Sequence, residues 1–386
     1  MVIIAPFALL WGEVYTRILV PQNVDSKMNI YASDPVIGFT YKPNASTYEK
    51  GREYNALYRI NSLGLRDREY GPKQKGIFRV LLLGDSFSVS HGLPIEDSLS
   101  RQLERALQEV ANIDGVPVKF EVINAAAGGY SPYNYWKAYS RWAPVFDPDV
   151  VIVGLSPDDY DSTNAWSNYL IEDGDTLAIY RDGETPQKGG GSLVRQLRKW
   201  LSWNSEFYIL LRNFLYYNEI SGRVSMWFAA KEEAQINQLQ QFITPQPESI
   251  TQSWKASFSY LDKLHEATAN DNVSLLMISI PLKDEIDYTQ FQRTLAASGL
   301  NQSQTDINQP LKEISNYCNA RNIPLFDPRP AIKARHLEDP CYFVYDGHWV
   351  AEGIRVATAS IAKQWRDLRL PPWDKYATLN KSQKLN

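Results

Sequence analysis

The stretch Phe78 to Gly92, FRVLLLGDSFSVSHG, constrains the fold more than any other. Phe78 to Leu83 is a short continuous run of apolar and β-favouring residues bounded by Gly84, the pattern of a strand buried on both faces of a parallel sheet. Gly84-Asp85-Ser86 ends it. From Ser98 the pattern LSRQLERALQEV sets Leu99, Leu103, Ala106, Leu107 and Val110 at helical spacing, so the segment reads as strand, tight turn and helix. Open parallel sheets hold their sites at such turns, beyond the carboxyl ends of the strands. Ser86 stands there.

A serine in that position has the chemistry of a nucleophile, because its own N–H and those of the following turn point at an anion forming beside it. It needs a base, and the chain has four histidines: His91, His265, His336 and His348. His348 lies in YFVYDGHWVAEGIRVATASIAKQW, two residues after Asp346 and ahead of a helix with Ile354, Ala357 and Ile361 on one face. A carboxylate beside a histidine fixes its tautomer and stabilises the imidazolium formed when the serine proton is taken. His91 reads as a surface residue, and His265 and His336 have no chemical context. The alternative for Ser86 is an N-cap of the next helix, and for His348 a satisfied core histidine. Asp85 reads as a structural residue of the turn.

Further strands follow at Val118–Asn124, in PDVVIVGLS, at Val273–Pro281 and at Ile323–Pro328, with a helix near Tyr133–Trp142. Strands alternating with helices call for right-handed crossovers and a parallel sheet. The expected architecture is α/β: a three-layer α/β/α, flavodoxin-like domain with a central five-stranded parallel sheet.

Gly-Asp-Ser after the first strand, with Asp-x-His near the end of the chain, resembles the SGNH or GDSL hydrolase superfamily. The resemblance implies two further blocks, each supplying one oxyanion donor. The first is FEVINAAAGGYSPYNY, where Gly129 matches the family glycine; in the second, VVIVGLSPDDYDS, Asp158 stands where an asparagine is expected. An ionised carboxylate only accepts hydrogen bonds, so either Asp158 is protonated or the donor comes from elsewhere. The commoner family spacing puts the acid three residues before the histidine, where this chain has Tyr345. Asp346-Gly347-His348-Trp349 is instead similar to a branch that acetylates exopolysaccharides. Gly-x-Ser-x-Gly is absent, with Ser88 in place of its last glycine, which argues against an α/β-hydrolase.

The resemblance thus implies a serine esterase: Ser86 attacks an acyl ester of a carbohydrate or lipid, His348 takes its proton, Asp346 orients His348, and Ser86, Gly129 and the Asp158 position form the oxyanion hole. Two alternatives stand beside it, an O-acetyltransferase for an exported polysaccharide and a non-catalytic carbohydrate-binding relative. No cofactor is implied, and neither metal-ligand spacing nor a phosphate loop is present.

At 386 residues and 44% hydrophobic content, the chain is long enough for one large domain with insertions, or two. A formal net charge of -4 without a basic run excludes nucleic acid as the expected partner. The expected divisions are a signal-like helix or residual membrane anchor at 1–20, a wrapping arm at 21–76, the SGNH domain at 77–370 and a tail at 371–386. Met1 to Trp11 is apolar and uncharged but about half the length of a membrane span. Proteins that it resembles often begin with a single membrane helix leading into a similar Arg-x-Leu-x-Pro stretch, and the resemblance implies an extracytoplasmic or membrane-anchored location. A helix packed on the domain, in a cytoplasmic protein, is the alternative. In the arm, Arg59, Arg66 and Arg68 read either as anion-binding or as a solvated, salt-bridged face. Cys318 and Cys341 read as one bridge or two free thiols.

Residues 161–250 form an insertion directly after the third strand. It contains an expected hairpin at TLAIYRDGET, three glycines at 189–191 and two apolar helical stretches. Trp200, Trp203, Phe207, Tyr208, Phe214, Tyr216 and Tyr217 read as the lining of an acyl or sugar cleft, or as packing between the two helices.

Overall fold

The structure is a computed structural model that describes residues 4–20, 30–51, 53–159, 169–172, 176–179, 197, 200, 201, 204–217, 239–298 and 300–376. Its centre is a parallel sheet of β1 (Ile77–Gly84), β2 (Lys119–Asn124), β3 (Val150–Leu155), β4 (Ser274–Ser279) and β5 (Leu325–Phe326), in the spatial order β5-β4-β3-β1-β2. This is the flavodoxin-like order, α/β with helices on both faces. All described residues of β3 are buried, and seven of the eight in β1, as a strand covered on both sides demands.

Strand direction decides which helix covers which face. The step from β1 to β2 and the return from β2 across β1 to β3 run in opposite senses, so right-handed crossovers put their helices on opposite faces. Accordingly α1 (Leu99–Asp114) and α5 (Ala351–Asp367) bury Leu99, Leu103, Leu107, Ile354, Ile361 and Trp365 with Val80 and Leu82 of β1. On the other face α2 (Pro132–Phe146), α3 (Glu248–Asn270) and α4 (Gln309–Ala320) bury Tyr139, Trp142, Leu261 and Tyr317 with Leu81 and Leu83. Alternate residues of one strand feed two cores.

The arm consists of two antiparallel ribbons, Tyr31–Asp34 with Gly38–Tyr41 and Ser46–Lys50 with Asn55–Arg59. Ile37, Phe39, Tyr41, Tyr58 and Leu65 join the α2-side core. Arg66 corrects the expectation of an exposed face. It is 1% exposed, its guanidinium lies 3.6 Å over the Tyr58 ring, and it donates to the carbonyls of Val89, Ser90 and Leu93. Arg68 follows the salt-bridged reading, pairing both ways with Glu104 at 2.9 Å.

The first described helix, Ile4–Leu19, packs against Glu206–Tyr217 of the insertion. Glu13 caps the second helix, accepting from Ser205 Oγ at 2.7 Å and from the N–H groups of Glu206 and Phe207 at 2.9 and 3.1 Å. Partial burial opposes its charge, but these donors and Arg17 outweigh it and hold the Glu13 carboxyl down at about 2. Among the described residues no helix is long and apolar enough to cross a membrane. In the insertion Thr176–Ile179 pairs with Tyr169–Glu172; the rest of TLAIYRDGET, the three glycines, Trp203 and most of the second helical stretch lie outside the described residues, as do the side chains of Tyr216 and Tyr217. Trp200 and Phe214 are exposed, while Phe207 and Tyr208 are half-buried.

Cys318 and Cys341 are free. Each belongs to a different core, on opposite faces of the sheet, and burial pushes their thiols up to about 12 and about 11.

Candidate active site

β1 lies between β2 and β3, so the strand order reverses there and leaves a crevice beyond the carboxyl ends. Gly84 closes β1 opposite Gly154 of β3. A Cβ on Gly84, at φ +154°, would stand 2.0 Å from Ser88 Oγ, and one on Gly154 would stand 2.2 Å from the same atom. The absent side chains make room for the turn to fold back over the strand ends. Asp85 holds that turn: its Oδ1 accepts from Phe87 N–H at 2.9 Å and its Oδ2 from Ser156 Oγ, just after β3, at 2.9 Å. Burial pushes the Asp85 carboxyl up. Helix α1 is capped by Ser98, so Ser86 does not serve as its cap.

Ser86 Oγ lies 2.7 Å from His348 Nε2, and His348 Nδ1 lies 2.5 Å from Asp346 Oδ1. Because a carboxylate only accepts, Nδ1 carries the proton, Nε2 is the acceptor in the neutral ring and the serine hydroxyl donates to it. Burial works against the Asp346 charge, but hydrogen bonds from His348 and His91 overcome it and hold the carboxyl far below the usual carboxylate range. The loop carrying the pair is pinned from both sides. Phe343 N–H donates to His348 O at 2.8 Å and Val350 N–H to Cys341 O at 3.0 Å. From the arm, Glu53 accepts from the N–H groups of Val344, Tyr345 and Asp346 at 2.6, 2.7 and 3.2 Å. The His348 ring rests on Phe87, centroids 4.6 Å apart.

Gly129 follows β2 with φ +86°, a backbone that favours glycine. Its neighbour Gly128 faces the serine: a Cβ there would lie 3.9 Å from Ser86 Cβ and 3.3 Å from the Tyr31 hydroxyl. Gly128 N–H donates to the Tyr41 hydroxyl at 3.4 Å. Asp158 follows β3 and is half-buried beside Asp159. Asp159 accepts from Tyr135 Oη at 2.6 Å and Ser156 N–H at 2.9 Å, and burial, with the nearby Asp85 charge, pushes its carboxyl well up.

His91 corrects the surface reading. It returns beside the serine turn, its ring 4.7 Å from that of His348, with Tyr54 Oη 2.7 Å from its Nε2 and Glu49 Oε1 3.2 Å from its Nδ1. Glu49, Glu53 and Tyr54 come from the arm and were not singled out in the sequence. His336 has a structural place, accepting from Cys341 N–H at Nδ1, 3.0 Å away. Among the described residues, His91, Asp346 and His348 offer donor atoms within 4.8 Å of one another. The hydrogen bonds to Ser86, Tyr54 and between the pair already engage those atoms.

A flavodoxin-like sheet with Gly-Asp-Ser at its switch point and Asp-x-His on the loop before the last long helix is the arrangement of the SGNH/GDSL class, which this chain resembles. Residues 240–384 match the family described as SGNH hydrolase-like domain, acetyltransferase AlgX; Asp346 and His348 fall inside the matched segment, Ser86 and Gly129 before it. No curated protein matches the chain. Similar solved structures include the lipase/acylhydrolase from Enterococcus faecalis, 13% identical, covering 76% of this chain and 98% of that one with a TM-score of 0.38. An acetyl xylan esterase, AlAXEase, is 14% identical over 74% of this chain and 98% of that one, TM-score 0.37. A member of the lipolytic protein G-D-S-L family from Veillonella parvula is 10% identical over 74% and 97%, TM-score 0.37. At that distance the likeness carries nothing about substrate.

Proposed function

We propose that this protein is a serine acyl-transfer enzyme acting through an acyl-enzyme on Ser86. The observation that carries the reading is the continuous series Ser86 Oγ, His348 Nε2, His348 Nδ1 and Asp346 Oδ1 at 2.7 and 2.5 Å. Ser86 Oγ bonds to the carbonyl carbon of an ester while its proton passes to His348 Nε2. The resulting oxyanion takes hydrogen bonds from Ser86 N–H and Gly129 N–H. Its collapse breaks the ester C–O bond, and the leaving alcohol receives the proton from His348. Water or a second hydroxyl then gives its proton to His348, attacks the acyl carbon and frees Ser86.

The substrates are O-acyl esters of carbohydrate or lipid. With water as acceptor the protein is an esterase. Transfer to a sugar hydroxyl of an exported polysaccharide is the second reading, favoured by the match to the AlgX-type segment and by Asp346-Gly347-His348-Trp349. Loss of one oxyanion donor slows a reaction by about a hundredfold or more, so an ionised Asp158, which accepts but does not donate, predicts slow hydrolysis of simple esters unless another donor takes its place. An extracytoplasmic location belongs to the same reading. In it the arm, 21–76, orders the Asp346 loop through Glu53, and the insertion, 161–250, follows the strand that ends beside the site.

The test is turnover of an activated acetyl ester with and without a saccharide acceptor, with the products separated. Ester cleavage that falls about a thousandfold or more in both Ser86→Ala and His348→Ala supports the reading; unchanged cleavage in either variant overturns it. Acetylated saccharide identifies the transferase, and acetate alone the esterase.

A further inference from the structure

The serine site continues past Asp346. Tyr54 Oη donates to Asp346 Oδ2 at 3.1 Å and lies 2.7 Å from His91 Nε2. A phenol has one proton, so when it is donated to the carboxylate the hydroxyl accepts from His91 Nε2. The same nitrogen is 3.6 Å from Asp346 Oδ2. On the far side of the ring, Glu49 Oε1 lies 3.2 Å from His91 Nδ1 and Oε2 accepts from Gly92 N–H at 3.3 Å. Glu49 is 5% exposed. A ring with an oxygen acceptor at each nitrogen is the setting in which both carry hydrogens and the imidazole is cationic.

We propose that His91 and Glu49 are positioning residues of the reaction: a second imidazole, kept cationic by a buried carboxylate, that fixes Asp346 beside His348. The role rests on the Ser86 acyl-enzyme reading. Two imidazole rings whose centroids are 4.7 Å apart cannot both be charged without repulsion. Charge on His91 thus opposes charge on His348. Asp346 lies between them and attenuates the effect without removing it. The other ionisable groups facing His91 are Glu49, Tyr54, Tyr58 and the buried Arg66 from the arm, with Asp346 and His348 from the opposing loop. Glu53 acts one step away through the 344–346 turn.

The experiment follows the rate of phosphonylation by a fluorophosphonate across pH in the full chain. In that reaction the Ser86 Oγ–P bond forms, the P–F bond breaks, fluoride leaves and His348 takes the serine proton. His91→Gln keeps a donor of similar reach without the charge. The expected result is that the acidic midpoint of its rate profile rises by about one pH unit, while the plateau rate stays within severalfold. Glu49→Gln gives a smaller rise in the same direction. A profile that superimposes on the parent in both folded variants overturns the role. So does nitrogen NMR of the histidine-labelled parent protein showing His91 neutral at neutral pH, a measurement that requires no variant to fold. Absence of labelling in the parent at every pH instead overturns the Ser86 reading itself.

Discussion

At the residue scale, Asp346 has the narrowest tolerance. It accepts from His348 Nδ1, and its backbone N–H is held by Glu53. Asp346→Asn offers an amide donor or a weaker acceptor to Nδ1 and favours the wrong tautomer; turnover is expected to fall by about a thousandfold or more, measured as kcat/KM on an acetyl ester. The pH sign follows from its lowered carboxyl. A folded-state value below the unfolded one, near 4, contributes stability that is fully present above that unfolded value and is lost as pH falls through the folded one. Chemical denaturation at falling pH is expected to show that loss in the parent and a shallower one in Asp346→Asn. Ser86, Asp346 and His348 were legible because each sits in a short motif with the others at fixed places in the chain order. His91 was not, because a spacing of five residues from Ser86 says nothing about a turn that folds back on itself. Its partners Glu49, Tyr54 and Asp346 are brought by the arm and the last loop, far away in sequence.

Among the elements, the sheet was easily read, since strands buried on both faces leave continuous apolar runs bounded by turn residues. All five strands fall where the sequence places them, although β5 pairs only over Leu325 and Phe326. The arm was misread at Arg66. The residues that follow it, Asp67, Arg68 and Glu69, are charged, and only the tertiary fold brings the Val89, Ser90 and Leu93 carbonyls to its guanidinium. Arg66→Ala leaves those carbonyls without their donor inside the protein. A loss of roughly 3 kcal/mol in unfolding free energy is expected by urea denaturation, and a change within experimental error would contradict the account. Gly154→Ala tests the strand ends differently. Its new methyl meets Ser88 Oγ at 2.2 Å and Ile280 Cδ1 at 2.7 Å, so roughly 1–3 kcal/mol is expected to be lost, with the serine turn displaced and ester turnover reduced.

For the whole molecule, the two cores explain why the cysteines stay apart. The sheet lies between Cys318 and Cys341, a separation that sequence spacing does not reveal. Iodoacetamide is expected to leave the folded protein unmodified over minutes and to add two groups once it is denatured without reductant; a single disulfide-linked species would contradict that. The same layering brings the carboxyl ends of β1 and β3, the arm and the loop before α5 to one place, and the central claim is that Ser86 there is an activated nucleophile. The most direct measurement is intact mass and peptide mapping after exposure to a fluorophosphonate. One adduct per chain on the peptide containing Ser86, absent from folded Ser86→Ala and His348→Ala, is the predicted result. A folded protein that stays unlabelled, or carries its adduct on another residue, would contradict it.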